Sequence, residues 1–217
     1  MLPLPTNITL TRRSDGYMRR WQSAIDDEPD YEAQMKKAKA TWGKSNKTFD
    51  EIKEKLRLMS NNIYRCNYCE DSYADEIEHI YPKDIYPDRT FVWGNYLYAC
   101  GPCNGPKNNK FALINPQGML IDITPPRPVP DGYVFSPPPN HQIALIDPRI
   151  ENPTTLIELD IIDTFRFVPA IHLNEGDEGF IRAQYTIDVL RLNDREYLVR
   201  ARRNAFRSFR ARLSEYI

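Results

Sequence analysis

All four cysteines of the chain lie in two pairs, and each pair encloses two residues. Cys66 and Cys69 form the first pair, Cys100 and Cys103 form the second, and thirty residues separate them. Each Cys-x-x-Cys turn lets two thiolates reach one ion, and two such turns supply the four sulfurs that structural zinc prefers. The spacing therefore predicts a zinc ion that clamps two distant pieces of backbone together.

Cysteines in such pairs also have roles that need no zinc. Reduced cysteines pack in cores as small apolar residues, and a single Cys-x-x-Cys pair can serve redox chemistry. Disulfides are disfavoured, because the N-terminal residues lack the apolar run of a signal peptide and we expect a cytoplasmic protein. No segment approaches the roughly 18 apolar residues of a membrane span, so we expect no contact with a membrane.

A zinc ion enclosed by four cysteines leaves no position open to a substrate, so chemistry must lie in the residues that the clamp holds together. Alternation in "DEIEHI" predicts a short strand with His79 and Glu78 on opposite faces, unless the strand ends there. A second strand is predicted at residues 96–99, and a helix is predicted to begin after Cys103 with Asn104 in its first turn. This platform of two strands and a helix would bring Glu78, His79 and Asn104 together.

The order of motifs along residues 64 to 110 is Cys-x-x-Cys, Glu-His-Ile-x-Pro, Trp-x-Asn and Cys-x-x-Cys-Asn-x-x-Lys. This order resembles the HNH endonuclease family, in the subgroup that carries a four-cysteine zinc knuckle. The resemblance implies a small ββα-metal core and metal-dependent hydrolysis of phosphodiester bonds in nucleic acid. DNA is the substrate that it implies first, and RNA remains open.

The resemblance also implies roles for individual residues. Glu78 and Asn104 match the oxygen ligands of a catalytic Mg²⁺ or Mn²⁺ ion, His79 matches the general base, and Asn95 matches the asparagine that orients this histidine. Neutral imidazole accepts a proton near cellular pH, and hard oxygen donors suit these ions. Glutamate replaces the more frequent aspartate at Glu78. An ordinary structural role is the alternative for each residue, since asparagine caps helices and is common in turns.

Three lysines near these motifs are candidates for binding the phosphates of nucleic acid. They are Lys83, Lys107 and Lys110. Solvated surface charge is the ordinary alternative for each of them. The phosphate role is based on their position, because Lys107 stands one helical turn beyond Asn104.

Two segments outside the core extend the resemblance. They are "IDPR" at residues 146–149 and "RAQYTIDVLRLN" at residues 182–193. Both resemble the HNH nuclease component of Septu and retron-associated anti-phage defence systems. This implies a defence effector that works beside an ATPase subunit of the ABC or SMC-like type.

Composition divides the chain into four segments and predicts an α+β protein. Residues 111–153 carry ten of the eighteen prolines, which forbid long helices there. Strand-like runs at "TLIELDII" and "TFRFVPAIHL" predict a hairpin, and two helices are predicted after it, divided near Asn193. The predicted segments are N-terminal helices (1–60), the nuclease core with its knuckle (61–115), a Pro-rich connector with short strands (116–180) and arginine-rich helices (181–217).

The charge of the chain, and its distribution along the sequence, limit the kinds of partner that it can bind. The formal net charge is -1, so the whole molecule has little non-specific attraction for nucleic acid. Residues 182–217 carry nine arginines, four acidic residues and no lysine, so this tail suits either phosphates or an acidic protein surface. Two functions therefore remain in play: a nuclease acting in a complex, and a zinc-stabilised adaptor that binds nucleic acid or protein without cleavage.

Overall fold

A computed structural model describes residues 1–43, 47–71 and 73–216. The described residues form helices and short antiparallel strands, which confirms the predicted α+β class. The helices are α1 (Arg12–Asp26), α2 (Tyr31–Trp42), α3 (Lys47–Met59), α4 (Gly101–Lys107), α5 (Glu178–Val189) and α6 (Glu196–Ser214). The strands are β1 (Glu76–His79), β2 (Tyr96–Ala99), β3 (Ala112–Ile114), β4 (Leu120–Asp122), β5 (Gln142–Ile143), β6 (Ile157–Leu159) and β7 (Phe167–Pro169).

The first two helices begin at side chains that accept hydrogen bonds from their first turns. Thr11 accepts from the backbone N–H of Ser14 at the start of α1, and Asp30 accepts from that of Ala33 at the start of α2. The Glu51 carboxylate of α3 accepts from the hydroxyls of Thr11 and Ser14, at 2.9 and 2.6 Å, so it ties α3 to the start of α1.

Strands β1 and β2 pair antiparallel, and α4 follows directly after β2. The register places Glu78 opposite Leu97 and His79 opposite Tyr96. Helix α4 begins at Gly101, three residues before Asn104, where the sequence predicts its start. The chain therefore contains a strand, strand, helix unit with the second cysteine pair at the start of its helix.

The remaining strands form two small sheets. In the Pro-rich region β3 lies between β4 and β5, and both neighbours are antiparallel to it. Strands β6 and β7 pair antiparallel, as the predicted hairpin requires. Helices α5 and α6 follow it, and the break between them includes Asn193, where the sequence predicts it.

The buried residues bind the four predicted segments into one packed body. One apolar cluster contains Ile25 of α1, Leu97 of β2, Ile143 of β5 and Leu198 of α6, all less than 5% exposed. Strand β3 lies before the predicted boundary at residue 115 and pairs with strands beyond it. Within the described part of the chain, no helix is both long enough and apolar enough to cross a membrane.

Candidate metal centre and the adjoining cavity

The four cysteines converge in the structure. Their sulfur atoms all lie within 4.8 Å of one another, and all four residues are buried. Tetrahedral zinc with bonds of about 2.3 Å sets its sulfurs about 3.8 Å apart. Cys69 Sγ and Cys100 Sγ are 3.9 Å apart, which matches this spacing across the two pairs. The cluster is consistent with a structural Zn²⁺ ion.

Asn67 fixes the first cysteine pair to the hairpin. Its backbone N–H donates to the carbonyl of Tyr98, and its side-chain oxygen accepts from the N–H of Tyr98, both at 2.8 Å. Its amide nitrogen donates to the Ser60 hydroxyl at the end of α3. The turn that presents Cys66 and Cys69 is therefore attached to β2 independently of any metal.

A cavity of about 270 Å³ opens between β1 and α4, the helix that carries Cys103. Glu78, His79 and Asn104, the three residues expected to converge, all line it. All four residues of β1, Glu76–His79, line this cavity, so residues from both faces of the strand contribute to it. Lys83 also lines the cavity.

His79 is buried and held in one orientation. Its Nε2 lies 3.0 Å from the carbonyl oxygen of Thr90, and the Trp42 ring packs edge-on against it with centroids 4.2 Å apart. A carbonyl oxygen only accepts, so Nε2 carries the proton of the neutral ring and Nδ1 carries the lone pair. Burial, and then the charge of Lys83, lower the pKa of His79 to about 3, so the imidazole is neutral at cellular pH.

Asn95 holds the loop that supplies the Thr90 carbonyl. Its side-chain oxygen accepts from the N–H of Tyr81, and its amide nitrogen donates to the carbonyls of Tyr81 and Arg89, at 2.8, 3.0 and 2.8 Å respectively. Asn95 is 3% exposed. It therefore ties the start of the loop between β1 and β2 to the end of that loop and holds the backbone at Arg89, next to Thr90. A role of Asn95 in orienting His79 stays a prediction.

Lys107 is not placed to contact phosphate, which corrects the role expected for it. Its side chain is 1% exposed, and its ammonium pairs with Oε1 of Glu78 and donates to the carbonyl of His79 at 2.8 Å. The Glu78 side chain is also buried, and burial raises the pKa of its carboxyl although Lys107 opposes this shift. Lys107 thus supports the strand end that carries both candidate residues.

Asn104 is oriented by a carboxylate that sequence reasoning missed. Its amide nitrogen donates to Oε2 of Glu76 at 2.7 Å, which leaves its own oxygen available as a ligand. A Cβ at position 101 would lie 3.2 Å from Oε1 of Glu76, so a larger residue there would require the Glu76 carboxylate to shift by a few tenths of an ångström. Glu76 stands two residues before Glu78, so both side chains lie on the same face of β1. This spacing in the sequence could have identified Glu76 as a site residue.

The other two lysines differ in position. Lys83 is half-buried and lines the cavity, whereas Lys110 is exposed and does not line it. Phosphate binding by either residue stays a prediction.

The arginine-rich tail divides into structural and exposed residues. Arg182 is buried and pairs with both carboxylate oxygens of Glu151, at 2.8 and 2.6 Å. Arg195 donates to cysteine sulfur, and Arg202 donates to the carbonyl of Leu192. The exposed arginines on α6 are Arg200, Arg207, Arg210 and Arg212.

The apolar residues of α6 divide in the same way. Leu198 is fully buried, whereas Phe209 and Leu213 are 64% and 48% exposed. The far half of α6 therefore presents its apolar stripe and its arginines to solvent.

Comparison with known proteins gives a partial match. No protein-family model matches the chain. A segment is 38% identical over 91 residues to the Septu protein PtuB of Bacillus thuringiensis. The match covers 38% of this chain and 33% of that protein, so the chain spans about a third of the relative that it resembles.

Proposed function

We propose that the chain is a metal-dependent HNH endonuclease that hydrolyses phosphodiester bonds, with DNA as its substrate. The observation that carries this proposal is the shared cavity of Glu78, His79 and Asn104 together with a buried cluster of four cysteines. A zinc knuckle alone needs the cysteines and none of these three residues. Glu78 and His79 end β1, and Asn104 lies on α4, the helix that follows β2, which agrees with the ββα-metal core that the motif order implies.

His79 supplies the general base in this proposal. Hydrolysis of a phosphodiester requires deprotonation of water, in-line attack at phosphorus and stabilisation of the leaving 3′ oxygen. The Nε2 contact with Thr90 fixes the tautomer, so Nδ1 takes the proton from water. Burial makes the free imidazole a weak base, and the negative charge of an incoming phosphate strengthens it. The products carry a 5′ phosphate and a 3′ hydroxyl.

Glu78 and Asn104 would hold the divalent ion. Carboxylate and amide oxygens are the hard donors that Mg²⁺ and Mn²⁺ prefer, so the residues present fit either ion. When bound, the ion supplies positive charge to the phosphate oxygens. Because Lys107 pairs with Oε1 of Glu78, coordination by this carboxylate would use Oε2.

The similarity to a Septu protein supports a role in anti-phage defence. We propose that the chain is the nuclease effector of a defence complex and that an ATPase subunit delivers its target. The net charge of -1 favours such a partner, because the chain alone has little electrostatic attraction for nucleic acid.

The test is nicking of plasmid DNA by the zinc-loaded chain together with its ATPase partner, in Mg²⁺ or Mn²⁺. His79→Ala should lower the rate by about 10² to 10⁴, the usual contribution of a positioned base. His172→Ala is the matched control, because His172 is exposed and does not line the cavity. Equal nicking by His79→Ala and by the wild type would remove His79 as the base.

A second candidate function is a zinc-stabilised adaptor without cleavage. The buried ion pair between Lys107 and Glu78 favours it, because this pairing withdraws the carboxylate from solvent. The adaptor hypothesis predicts that His79→Ala and the wild type bind nucleic acid or the partner equally and that neither nicks DNA. Ends with 5′ phosphates, made by the wild type and not by the variant, exclude it.

A further inference from the structure

Arg195 lies against the cysteine cluster although it stands 92 positions after Cys103 in the sequence. Its Nη2 is 3.1 Å from Cys103 Sγ, and its Nη1 is 3.9 Å from Cys100 Sγ. One guanidinium therefore reaches both cysteines of the second pair. Arg195 immediately precedes α6, so this contact also attaches the start of that helix to the knuckle.

The negative charge of a zinc ion with four thiolates gives a physical reason for this contact. Four thiolates around one Zn²⁺ carry a net charge of about −2, and a buried charge is costly unless an opposite charge and hydrogen bonds accompany it. The four cysteines are at most 2% exposed, so water compensates little of this charge. A guanidinium is always charged and its planar fork donates to two acceptors at once.

Arg202 also lies near the cluster, where its charge interacts with those of Cys69 and Cys103. Its guanidinium donates to the carbonyl of Leu192 and lies over the Phe167 ring, 4.2 Å from the ring centroid. Arg195 differs in that two of its nitrogens lie within 4 Å of the sulfurs of the second cysteine pair.

We propose that Arg195 is part of the metal site, as an outer-sphere counter-charge that raises its affinity for zinc and docks the start of α6 onto the loaded knuckle. Leu198 and Val199 bury themselves within the first turn of α6, so the helix also has an apolar attachment that does not depend on metal. Metal affinity and helix docking are thus linked through one side chain.

The experiment measures zinc affinity by competition with a chromophoric chelator, and thiolate-to-metal absorption after substitution with Co²⁺. Arg195→Gln should weaken zinc binding by about 10- to 100-fold, as is typical when an outer-sphere partner is lost. Arg195→Lys keeps the charge and should recover part of this affinity. Arg200→Gln, an exposed arginine of the same helix, should bind zinc within about twofold of the wild type.

Two further comparisons separate counter-charge from packing. Leu198→Ala loosens the apolar attachment of α6 without touching the sulfurs, and it should leave zinc affinity unchanged. On removal of zinc from the wild type, hydrogen exchange in residues 196–202 should quicken by more than it does in the rest of the chain. This excess over the rest of the chain should be lost in Arg195→Gln.

Three results would overturn the proposal. They are zinc affinity in Arg195→Gln within twofold of the wild type, no recovery in Arg195→Lys, and a loss in Leu198→Ala as large as in Arg195→Gln. No measurement requires cleavage activity, so the outcome is independent of the proposed nuclease function. Should Arg195→Gln fail to fold, Arg195→Lys and Leu198→Ala still decide between charge and packing.

Discussion

At the scale of single residues, the site depends on buried charges with specific partners. Lys107 is inside the fold because its ammonium meets the Glu78 carboxylate and the His79 carbonyl. The sequence alone favours an exposed lysine, since lysine is rarely buried unless it is paired. The pairing partner lies 29 residues earlier and reaches Lys107 only because β1 packs on α4. For this reason motifs predict that Glu78, His79 and Asn104 line one cavity, whereas the pairing of Glu78 with Lys107 is not predictable from them.

Removal of Lys107 should be costly for stability. Lys107→Met leaves the Glu78 carboxylate buried without its partner, and breaking a buried ion pair in this way costs about 3–5 kcal/mol. The double variant Glu78→Gln, Lys107→Met removes both charges and should regain most of that loss. Urea unfolding of the zinc-loaded proteins measures both values. Lys110→Met is the control, because Lys110 is exposed; equal stability of the two single variants would contradict the buried pair.

Asp147 should make stability depend on pH. Burial raises its pKa to about 6, above the unfolded value of about 3.8, so the folded state favours the protonated form. This stabilisation is present below the unfolded pKa and is lost as pH rises through about 6. Asp147→Asn should therefore exceed the wild type by up to roughly 3 kcal/mol at pH 8, and the difference should vanish near pH 4. Urea unfolding of both proteins between pH 4 and pH 8 tests this prediction. A difference in unfolding free energy that stays constant at all pH values would exclude titration of Asp147 as its cause.

At the scale of elements, the strands β1 and β2 are predicted best from the sequence, and the loop that connects them is predicted least well. Residues 96–99 form the expected strand, and the hairpin β6 and β7 also pairs as expected. Alternation of apolar and polar residues along the sequence is sufficient to predict these strands. Helix α4 begins three residues earlier than predicted, at Gly101. Glu51 ties α3 to α1 through a contact between residues 37 positions apart, which no local pattern reveals. The loop between β1 and β2 is ordered by Asn95, whose partners no local pattern reveals.

Asn95→Ala tests whether the loop orients His79. The substitution removes three buried hydrogen bonds and leaves backbone groups unpaired, which should cost about 2–4 kcal/mol at roughly 1 kcal/mol for each bond plus desolvation. The Thr90 carbonyl should then lose its fixed position and nicking should fall. The measurements are thermal unfolding and nicking below the new melting temperature. Full activity of a folded Asn95→Ala protein would show that the loop does not orient the base.

At the scale of the whole molecule, one core and one knuckle join distant segments. The "IDPR" residues contribute through Arg149, which donates to the Tyr96 carbonyl at 2.9 Å and lies over the Trp93 ring, 4.8 Å from its centroid. A motif that carries the resemblance to defence nucleases is thus an attachment of the connector to β2. The sequence predicts its presence but not this contact, because the contact spans 53 residues.

Removal of zinc should therefore affect the entire chain and not the knuckle alone. Binding free energies of about 10–16 kcal/mol for structural zinc in small peptides match or exceed the usual stability of a domain, about 5–15 kcal/mol. The apolar cluster spans α1 to α6, so loss of the clamp should lower one cooperative transition by more than 10 °C at about 2–4 °C for each kcal/mol. Calorimetry before and after chelation, with zinc content measured in parallel, checks this expectation. Adding back Zn²⁺ should restore the transition temperature and adding Mg²⁺ should not, because four buried thiolates bind the softer ion. An unchanged transition in the zinc-free protein would mean that packing alone holds the two cysteine pairs together.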